Sequence, residues 1–339
     1  MSFGTWVGIV AFILAMYILW QMRQLLLLLL TAIVLANALN MLVKWWEGWG
    51  IKRNYAVLLS VSLLITALVG FFLLIVPPLA DQFQQLVTRV PQGIELLFEW
   101  LNTLQDLLSE EQSESLPSLN ELTQQLQPLM NELLGNGLSF FYGSVGAVLS
   151  LLLLFALTLM LLVDPTPYRQ GFLRLFPAFY RRRVDEILLL CDRSLQGWLR
   201  GIFFNMIIVA FLSFICLLIL GIPLALAQAL LTGIFTFIPN LGPALSVVSP
   251  MAIAFLEQPW KAFAVLILYI VIQQLEGYVL TPLVMGKQTA LLPGITLLVQ
   301  ILLASFFGFL GLFLALPLTI IGQVLLTEVL IKDILDQYQ

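Results

Sequence analysis

The sequence predicts an all-α protein that crosses a membrane several times as a helical bundle. Of its 339 residues, 61% are hydrophobic and only 10% are charged, and the mean hydropathy is +1.02. Several apolar runs approach the roughly 20 residues that a helix needs to cross the hydrocarbon core. These runs are continuous rather than alternating with period two, which argues against a transmembrane β-barrel.

The composition excludes most enzyme chemistry. The chain has no histidine, which removes histidine-dependent catalytic triads, zinc proteases of the HExxH type and histidine proton relays. Its two cysteines, Cys191 and Cys216, lie in an Arg-rich segment and in an apolar span, so we expect neither a disulfide nor a metal site. No phosphate-binding or dinucleotide-binding glycine motif occurs. We therefore expect no enzymatic activity, no cofactor and no metal.

Residues 1–78 hold three predicted spans. The first two, at 3–20 and 25–43, are joined by a short link containing Arg23, and the third covers 55–76. The N-terminus lacks the basic start and the cleavage site of a signal peptide, so we expect a retained hairpin. The loop after the second span combines tryptophans with cations, which is typical of an interface on the cytoplasmic side.

Residues 79–137 form a polar, acidic segment that still carries apolar stripes at helical spacing. Its only cation is Arg89, against nine carboxylates. We expect a small helical segment outside the cytoplasm, because cytoplasmic loops are enriched in Lys and Arg. A fourth span at 138–163 follows and ends at Asp164 and two prolines.

Residues 164–201 contain seven of the fifteen cations, all arginine. The pattern predicts an amphipathic helix on the cytoplasmic surface, with its arginines near anionic lipid. The flanking spans argue against nucleic-acid binding. The apolar stripe comprises Val184, Ile187, Leu188, Cys191, Leu195, Trp198 and Leu199.

Residues 202–331 are the predicted transport core. Besides spans at 202–220 and 262–279, it has two pairs of short apolar arms, interrupted at residues 238–243 and at a hinge formed by Gly308 and Gly311. Short spans interrupted by Gly or Pro in corresponding positions point to a transporter site near the membrane midplane. A short polar tail, 332–339, ends the chain.

The first interruption reads IPNLGP, from Ile238 to Pro243. Its prolines remove backbone donors, and the freed groups must be satisfied by protein or water at membrane depth. Two interpretations stay open: the segment lines a solute or ion path, or it is a tight turn between two helices. The candidate path residues are Pro239, Asn240, Gly242 and Pro243.

A single carboxylate, Glu276, lies within the apolar run of the 262–279 span. Tyr269, Gln273 and Glu276 follow i, i+4, i+7 spacing, which predicts a shared helical face. A carboxylate in lipid costs at least about 2.5 kcal/mol, so Glu276 should face protein or water. It is either an H⁺ or Na⁺ site or solute contact, or a residue near the span end that pairs with Lys287.

The charge distribution predicts the orientation. With the N-terminus in the cytoplasm, the acidic segment lies outside, and the Arg-rich segment and the C-terminus lie inside.

Six short motifs follow one another between residues 176 and 318. They are Phe176-Pro177, WLRG at 198–201, LGIP at 220–223, IPNLGP at 238–243, QQLEGYVLTPLVMGK at 273–287 and FFGFLGLFLALPL at 306–318. In this order the motifs resemble those of the autoinducer-2 exporter family of multi-spanning bacterial membrane proteins. The family pattern has an aliphatic or aromatic residue where Asn240 stands. The resemblance implies export of a small polar solute, and sodium/proton antiport for some members. It also implies a protein of the bacterial inner membrane that forms a homo-oligomer.

Four functions remain open at this point. The leading one is secondary transport of a small polar solute, coupled to H⁺ or Na⁺ through Glu276. A passive oligomeric channel and a sodium/proton antiporter are alternatives within transport. A membrane scaffold, which would bind partners through its acidic and Arg-rich segments, is the alternative from another class.

Overall fold

The computed structural model describes residues 20–75, 145–239, 241–280 and 293–336, together with scattered positions between 8 and 18 and at 77, 78 and 282. Within these ranges no β-strand occurs, which confirms the all-α class. The acidic segment predicted at 79–137 and the residues of 283–292, including Lys287, lie outside the described part. The chain divides into two compact units, one of residues 1–64, 148–201 and 284–339, the other of residues 65–147 and 202–283.

Ten α-helices are described, and three of them continue as π-helical segments. The π-helical segments are Phe71–Ile75 after α2, Glu276–Leu280 after α9 and Leu326–Leu335 after α10. The helices are α1 Arg23–Glu47, α2 Arg53–Gly70, α3 Val145–Val163, α4 Thr166–Arg174, α5 Arg181–Ile219, α6 Ala225–Phe235, α7 Leu241–Ser246, α8 Val248–Glu257, α9 Pro259–Leu275 and α10 Pro293–Leu325.

The described helices confirm a polytopic membrane protein. Five of them are long and apolar enough to cross a membrane, namely α1, α2, α5, α9 and α10 with their π-helical extensions. A sixth span is possible if α3 and α4, which meet at a 93° bend, count as one. Apolar side chains cover most of the outward faces of these helices, as lipid requires.

In the first unit, the end of α1, the start of α2 and the end of α3 pack together. Val43, Ala56 and Leu162 are buried together in this layer. Arg53 donates from Nη2 to the carbonyl oxygen of Leu162 at 3.0 Å, and so satisfies a carbonyl at the C-terminus of α3. The rings of Trp45, Trp46 and Trp49 contact one another beside this layer, in keeping with the predicted interfacial loop.

Helix α5 corrects one element of the sequence prediction. It runs without interruption over 39 residues, about 59 Å at 1.5 Å per residue, so the predicted surface helix and the following span are one helix. Gly197 and Gly201 lie inside it, because a glycine within a helix costs only about 1 kcal/mol and no proline intervenes. The predicted apolar stripe is confirmed: its members are buried, except for half-buried Leu188.

The two arms predicted around Gly308 and Gly311 are confirmed. Gly308 has φ 62° and ψ −143°, a conformation that only glycine adopts without strain, and it separates the two arms of α10. A Cβ on Gly311 would collide with the carbonyl oxygen of Leu303 and lie 2.7 Å from Cβ of Phe307. Residues eight apart in a straight helix are about 12 Å apart, so the arms fold back on each other at the hinge.

A cluster of charged and polar side chains connects the start of α5 to Leu326–Leu335, the π-helical segment after α10. Arg183 pairs with Glu328 at 2.9 Å and with Asp333 at 2.8 Å, and Tyr180 donates to Asp333 at 3.0 Å. Burial and the Asp333 carboxylate raise the pKa of the Tyr180 phenol, which keeps it protonated as a donor. Arg169 pairs with Asp185 at 2.7 Å.

These contacts correct two expectations. The arginines of 164–201 do not all face lipid, because Arg169 and Arg183 bind carboxylates within the unit. The predicted polar tail is helical through Leu335, since Glu328, Lys332 and Asp333 have partners that hold this segment in place.

Candidate functional site

The candidate site lies on α9, within the second unit. One face of this helix is buried along its whole length. At 100° per residue, Glu276 falls about 20° to one side of Tyr269 and Gln273 about 40° to the other, so Gln273 lies toward the edge of the face. The buried residues on this face are Ala262, Val265, Tyr269, Ile272, Glu276 and Leu280.

The structure therefore brings together two of the three residues predicted to share a face. Tyr269 and Glu276 are both buried, whereas the side chain of Gln273 is exposed. The spacing i, i+4, i+7 is compatible with one broad face, but the packed stripe here is narrower than that face. Gln273 thus lies within about 60° of Glu276 around the helix, as the spacing predicts, but it does not share the burial of the other two residues.

The C-terminal half of α5 packs against this face. Leu217 is buried in a cluster with Val265 and Tyr269, and Val209 is buried with Ile272 and Leu280. As α9 advances toward its C-terminus, its contacts thus move toward the N-terminus of α5, so the two helices are antiparallel. The matching face of α5 consists of Ile202, Asn205, Val209, Ser213 and Leu217, all buried.

Two polar residues of that α5 face were missed by sequence reasoning. Asn205 and Ser213 are each isolated in a strongly apolar run, which reads as an ordinary span. The signal that could have found them is their spacing of eight residues, in register with Val209 and Leu217 on one helical face. The antiparallel register places Asn205 about one turn beyond Val209, level with the end of α9 where Glu276 lies.

Tyr269 connects α9 to α6 through a buried hydrogen bond. Its phenol lies 2.9 Å from Oγ1 of Thr232. Because Thr232 donates its own hydroxyl hydrogen to the carbonyl oxygen of Gln228 at 2.9 Å, the phenol is the donor to Thr232. Ser213 lies close to the phenol as well, outside hydrogen-bond geometry. This group is a polar patch within an otherwise apolar core.

Glu276 is buried without a charged partner in the described part of the chain. It is 8% exposed and lies between Ile272 and Leu280 on the packed face. Among the described residues, none forms an ion pair with its carboxylate. The other charged residues at 202–280 are Glu257 and Lys261. They pair with each other at 2.7 Å and lie at the opposite end of α9.

A π-helical turn begins at Glu276. Residues Glu276–Leu280 follow directly on the α-helix that ends at Leu275. Short π-helical segments within α-helices occur frequently at functional sites, because the widened turn changes where side chains and backbone carbonyls point. The carboxylate and the irregular backbone therefore coincide at the same end of α9.

The IPNLGP interruption has the hydrogen bonds of a tight turn. The carbonyl oxygens of Ile234 and Phe235 accept from the N–H groups of Phe237 and Ile238 at 3.1 and 2.9 Å, and that of Ile238 accepts from Gly242 at 2.8 Å. The carbonyls at the end of α6 are thus satisfied locally. This favours the second of the two interpretations of this segment for its described backbone.

Gly242 explains how α7 returns so closely along α6. A Cβ at Gly242 would collide with the carbonyl oxygen of Phe235 and lie 2.5 Å from its carbonyl carbon. Asn240 and the side chain of Pro243 lie outside the described residues, and Pro239 is half-buried. A role of these residues in a solute path stays a prediction.

Gly308 and Gly311 belong to the first unit, where they serve as the hinge and the packing point of α10. No group of three or more Cys, Asp or Glu residues in the described ranges is arranged to hold a metal ion.

The chain has several long apolar helices, two interrupted helix pairs and a carboxylate that is buried on a packed face. Together these features define a multi-pass α-helical membrane protein. The model of the family described as "AI-2E family transporter" matches residues 9–331. Because this match covers nearly the whole chain, the chain belongs to this family.

Curated relatives support this assignment along most of the chain. One similar protein is "Putative transport protein YueF" of Bacillus subtilis, 27% identical over 277 residues that cover 79% of this chain and 74% of that protein. Another is "AI-2 transport protein TqsA" of Escherichia coli, 26% identical over 309 residues that cover 88% of this chain and 84% of that protein. "Putative transport protein YhhT" of the same species is 25% identical over 304 residues, 87% and 82% of the two chains.

Proposed function

We propose that this transporter exports a small polar solute and couples that export to H⁺ or Na⁺ through Glu276. The observation that carries the proposal is the burial of Glu276 on the packed face of α9, without a charge partner among the described residues. A carboxylate in this position gains or loses a cation more readily than one that is held in an ion pair. Acidic residues within membrane spans commonly mark ion paths for this reason.

The polar patch around Tyr269 supports a solute contact near the ion site. Tyr269 and Glu276 are seven residues apart on one helix, a rise of about 10 Å. The buried hydroxyls of Thr232 and Tyr269 can exchange hydrogen bonds with a hydroxyl-bearing solute. A solute and a cation on the same helical face could each alter the packing of α9 against α5, which is the coupling that secondary transport requires.

The nature of the solute is proposed from a relative. One family member at 26% identity is named for AI-2 transport, so AI-2 is the first probe to test. Inverted membrane vesicles distinguish the direction, because an exporter accumulates its solute inside them. Uptake in right-side-out vesicles alone would contradict export.

The direct test measures AI-2 flux in proteoliposomes of the full chain under a pH gradient, a Na⁺ gradient or no gradient. We expect the Glu276→Gln variant to give as much monodisperse protein as the unaltered chain. Its gradient-driven flux should be lower by about tenfold or more, because a contact that depends on the carboxylate charge is lost. The matched control is Glu257→Gln, a glutamate at the other end of the same helix pair, which should change flux by no more than about twofold.

Other outcomes identify the alternatives. AI-2 flux that needs no gradient and survives Glu276→Gln would contradict coupling and leave a passive channel. Exchange of Na⁺ for H⁺ with no AI-2 flux would contradict solute export and identify an antiporter.

A further inference from the structure

The segment between α3 and α5 carries a row of large apolar side chains that are half to mostly exposed. Their aromatic contacts are local, between Phe172 and Phe176 and between Phe179 and Tyr180. Helix α4 has no buried residue in the described structure. Tyr168, Phe172 and Leu175 follow i, i+4, i+7 spacing, and Phe179 comes in the turn after them. Leu175 is 78% exposed and Phe179 is 87% exposed, the largest values among these four. Side chains of this kind rarely remain in water as a contiguous set.

The 93° bend between α3 and α4 defines how this segment lies in the membrane. Helix α3 has 19 residues, about 28 Å long, which matches the thickness of a hydrocarbon core. A helix that turns by 93° at the end of such a span runs parallel to the membrane plane. Therefore α4 lies at the membrane surface rather than across the bilayer or away from it.

Neighbouring residues place the end of α3 at the interface independently. Arg53 donates to the carbonyl oxygen of Leu162, at the last turn of α3. Trp46 packs against the same cluster as Leu162 and contacts Trp45 and Trp49. Tryptophan rings and arginines concentrate at the level of lipid headgroups, so α4 begins at that level.

The rotation of α4 about its axis is set by an ion pair. Arg169 binds the carboxylate of Asp185 on α5 at 2.7 Å and its carbonyl oxygen at 3.2 Å. This contact holds the Arg169 side of α4 toward α5. Tyr168 and Phe172 lie beside Arg169 on the helix surface and remain 44% and 45% exposed, so the contact with α5 leaves about half of each side chain uncovered.

The charge of the segment selects the lipid. Residues 164–186 contain five arginines and three acidic residues. Arg183 is held by Glu328 and Asp333, but Arg174, Arg181 and Arg182 are exposed, and Arg182 is 94% exposed in its ion pair with Glu186. Three exposed arginines around an apolar row are complementary to anionic headgroups above acyl chains.

We propose that Tyr168, Phe172, Leu175 and Phe179 insert into the membrane interface, where Arg174, Arg181 and Arg182 bind the headgroups of anionic phospholipid. This surface, the α4 lipid-binding surface, is separate from the candidate site on α9. It anchors the start of α5, and it makes the protein select anionic lipid at this position.

The first experiment measures depth in the full chain in nanodiscs made with phosphatidylglycerol. A nitroxide is placed at Phe179→Cys or Leu175→Cys after Cys191 and Cys216 are replaced by alanine. Gln170→Cys, exposed on the opposite side of α4, is the matched control. We expect labels at 175 and 179 to collide more with oxygen than with a water-soluble nickel chelate, and the label at 170 to show the reverse.

Two results would overturn insertion. A label at 179 as accessible to the nickel chelate as the label at 170 would show that the row lies in water. A label at 179 shielded from both reagents would show that protein covers it, as a second copy of the chain would.

The second experiment tests the headgroup. Retention of phosphatidylglycerol against phosphatidylcholine is compared by native mass spectrometry for Arg174→Gln, Arg181→Gln and Arg182→Gln and for Arg193→Gln, an exposed arginine elsewhere on α5. Each change in the α4 lipid-binding surface should weaken phosphatidylglycerol binding about fivefold, as expected for one basic residue near an anionic surface. An equal loss in Arg193→Gln, or no loss in any variant, would contradict a specific headgroup site.

Discussion

The guanidinium of Arg183 donates to both carboxylate oxygens of Asp333, at 2.8 and 3.1 Å, although 150 positions separate the two residues in the chain. A second acid, Glu328, accepts from the same guanidinium at 2.9 Å and also pairs with Lys332. The fork of an arginine matches two carboxylate oxygens, and such pairs restrict geometry as well as adding attraction. The last described helix is therefore fixed to the first turn of α5.

The Arg183 contact predicts non-additive losses of stability. Arg183→Gln and Asp333→Asn should each lower the apparent Tm of the purified protein by a few degrees. Arg183→Gln should lower it more, because Glu328 also loses one of its two partners. The double variant should cost less than the sum of the two, since the partners share one interaction. Arg182→Gln, its highly exposed neighbour, is the control and should change little. Additive losses would contradict a direct pair.

The hydrogen bond between Tyr269 and Thr232 predicts a moderate and specific effect. Tyr269→Phe removes the donor to Oγ1 of Thr232 and should destabilise the protein by about 0.5–1.5 kcal/mol. The matched control is Tyr278→Phe on the same helix, whose side chain is 77% exposed and should tolerate the change. Thermal unfolding in detergent measures both variants. Equal Tm values for the two would show that the buried hydrogen bond contributes nothing.

The turn after α6 predicts that Gly242 tolerates no side chain. Gly242→Ala should reduce the folded yield strongly, because the new Cβ would meet the backbone of Phe235, which cannot move aside as a side chain can. Gly277→Ala is the matched control, since a Cβ there has no heavy atom within 4 Å. Fluorescence-detected size-exclusion chromatography reports the yield of both. A normal profile for Gly242→Ala would refute the close approach of α6 and α7.

The charge distribution predicts the orientation of the chain. A cysteine at Ser113, in the acidic segment, should react with a membrane-impermeant thiol reagent in intact cells. The reason is that this segment has one cation and nine acidic residues, a composition that favours the outer side of the membrane. Lys52→Cys, in the predicted cytoplasmic loop, should react only after permeabilisation. Both variants are made without Cys191 and Cys216. The reverse pattern would overturn the orientation from the first span onward.

Much of the fold could be predicted from hydropathy, because lipid permits few alternatives. Each apolar run of sufficient length must close its backbone hydrogen bonds within itself, and this requirement identifies helices before any packing is known. The hinge at Gly308 was predictable for a related reason, since two glycines within an apolar run mark a place where a helix can break. The continuation of α5 through Gly201 was not predictable, because nothing in the local sequence distinguishes a glycine that ends a helix from one that continues it.

The candidate site was partly predictable. Glu276 stands out because a carboxylate within an apolar run is costly, whatever surrounds it. Asn205, Ser213 and Thr232 did not stand out, since amide and hydroxyl residues are common in spans and acquire meaning only from what they face. The exposure of Gln273 was not predictable for the same reason, because helical spacing gives the direction of a side chain but not the width of the packed stripe.

The sequence by itself determined the class of the protein, the positions of most spans and the single carboxylate of the site, because these depend on the cost of transferring side chains and backbone into lipid. The tertiary structure alone decided which arginines are paired, that Asp333 reaches Arg183, and that Tyr269 donates to Thr232. The last two contacts join residues that are 150 and 37 positions apart. Local propensity carries no information about such distant partners, since they are selected only when whole helices pack.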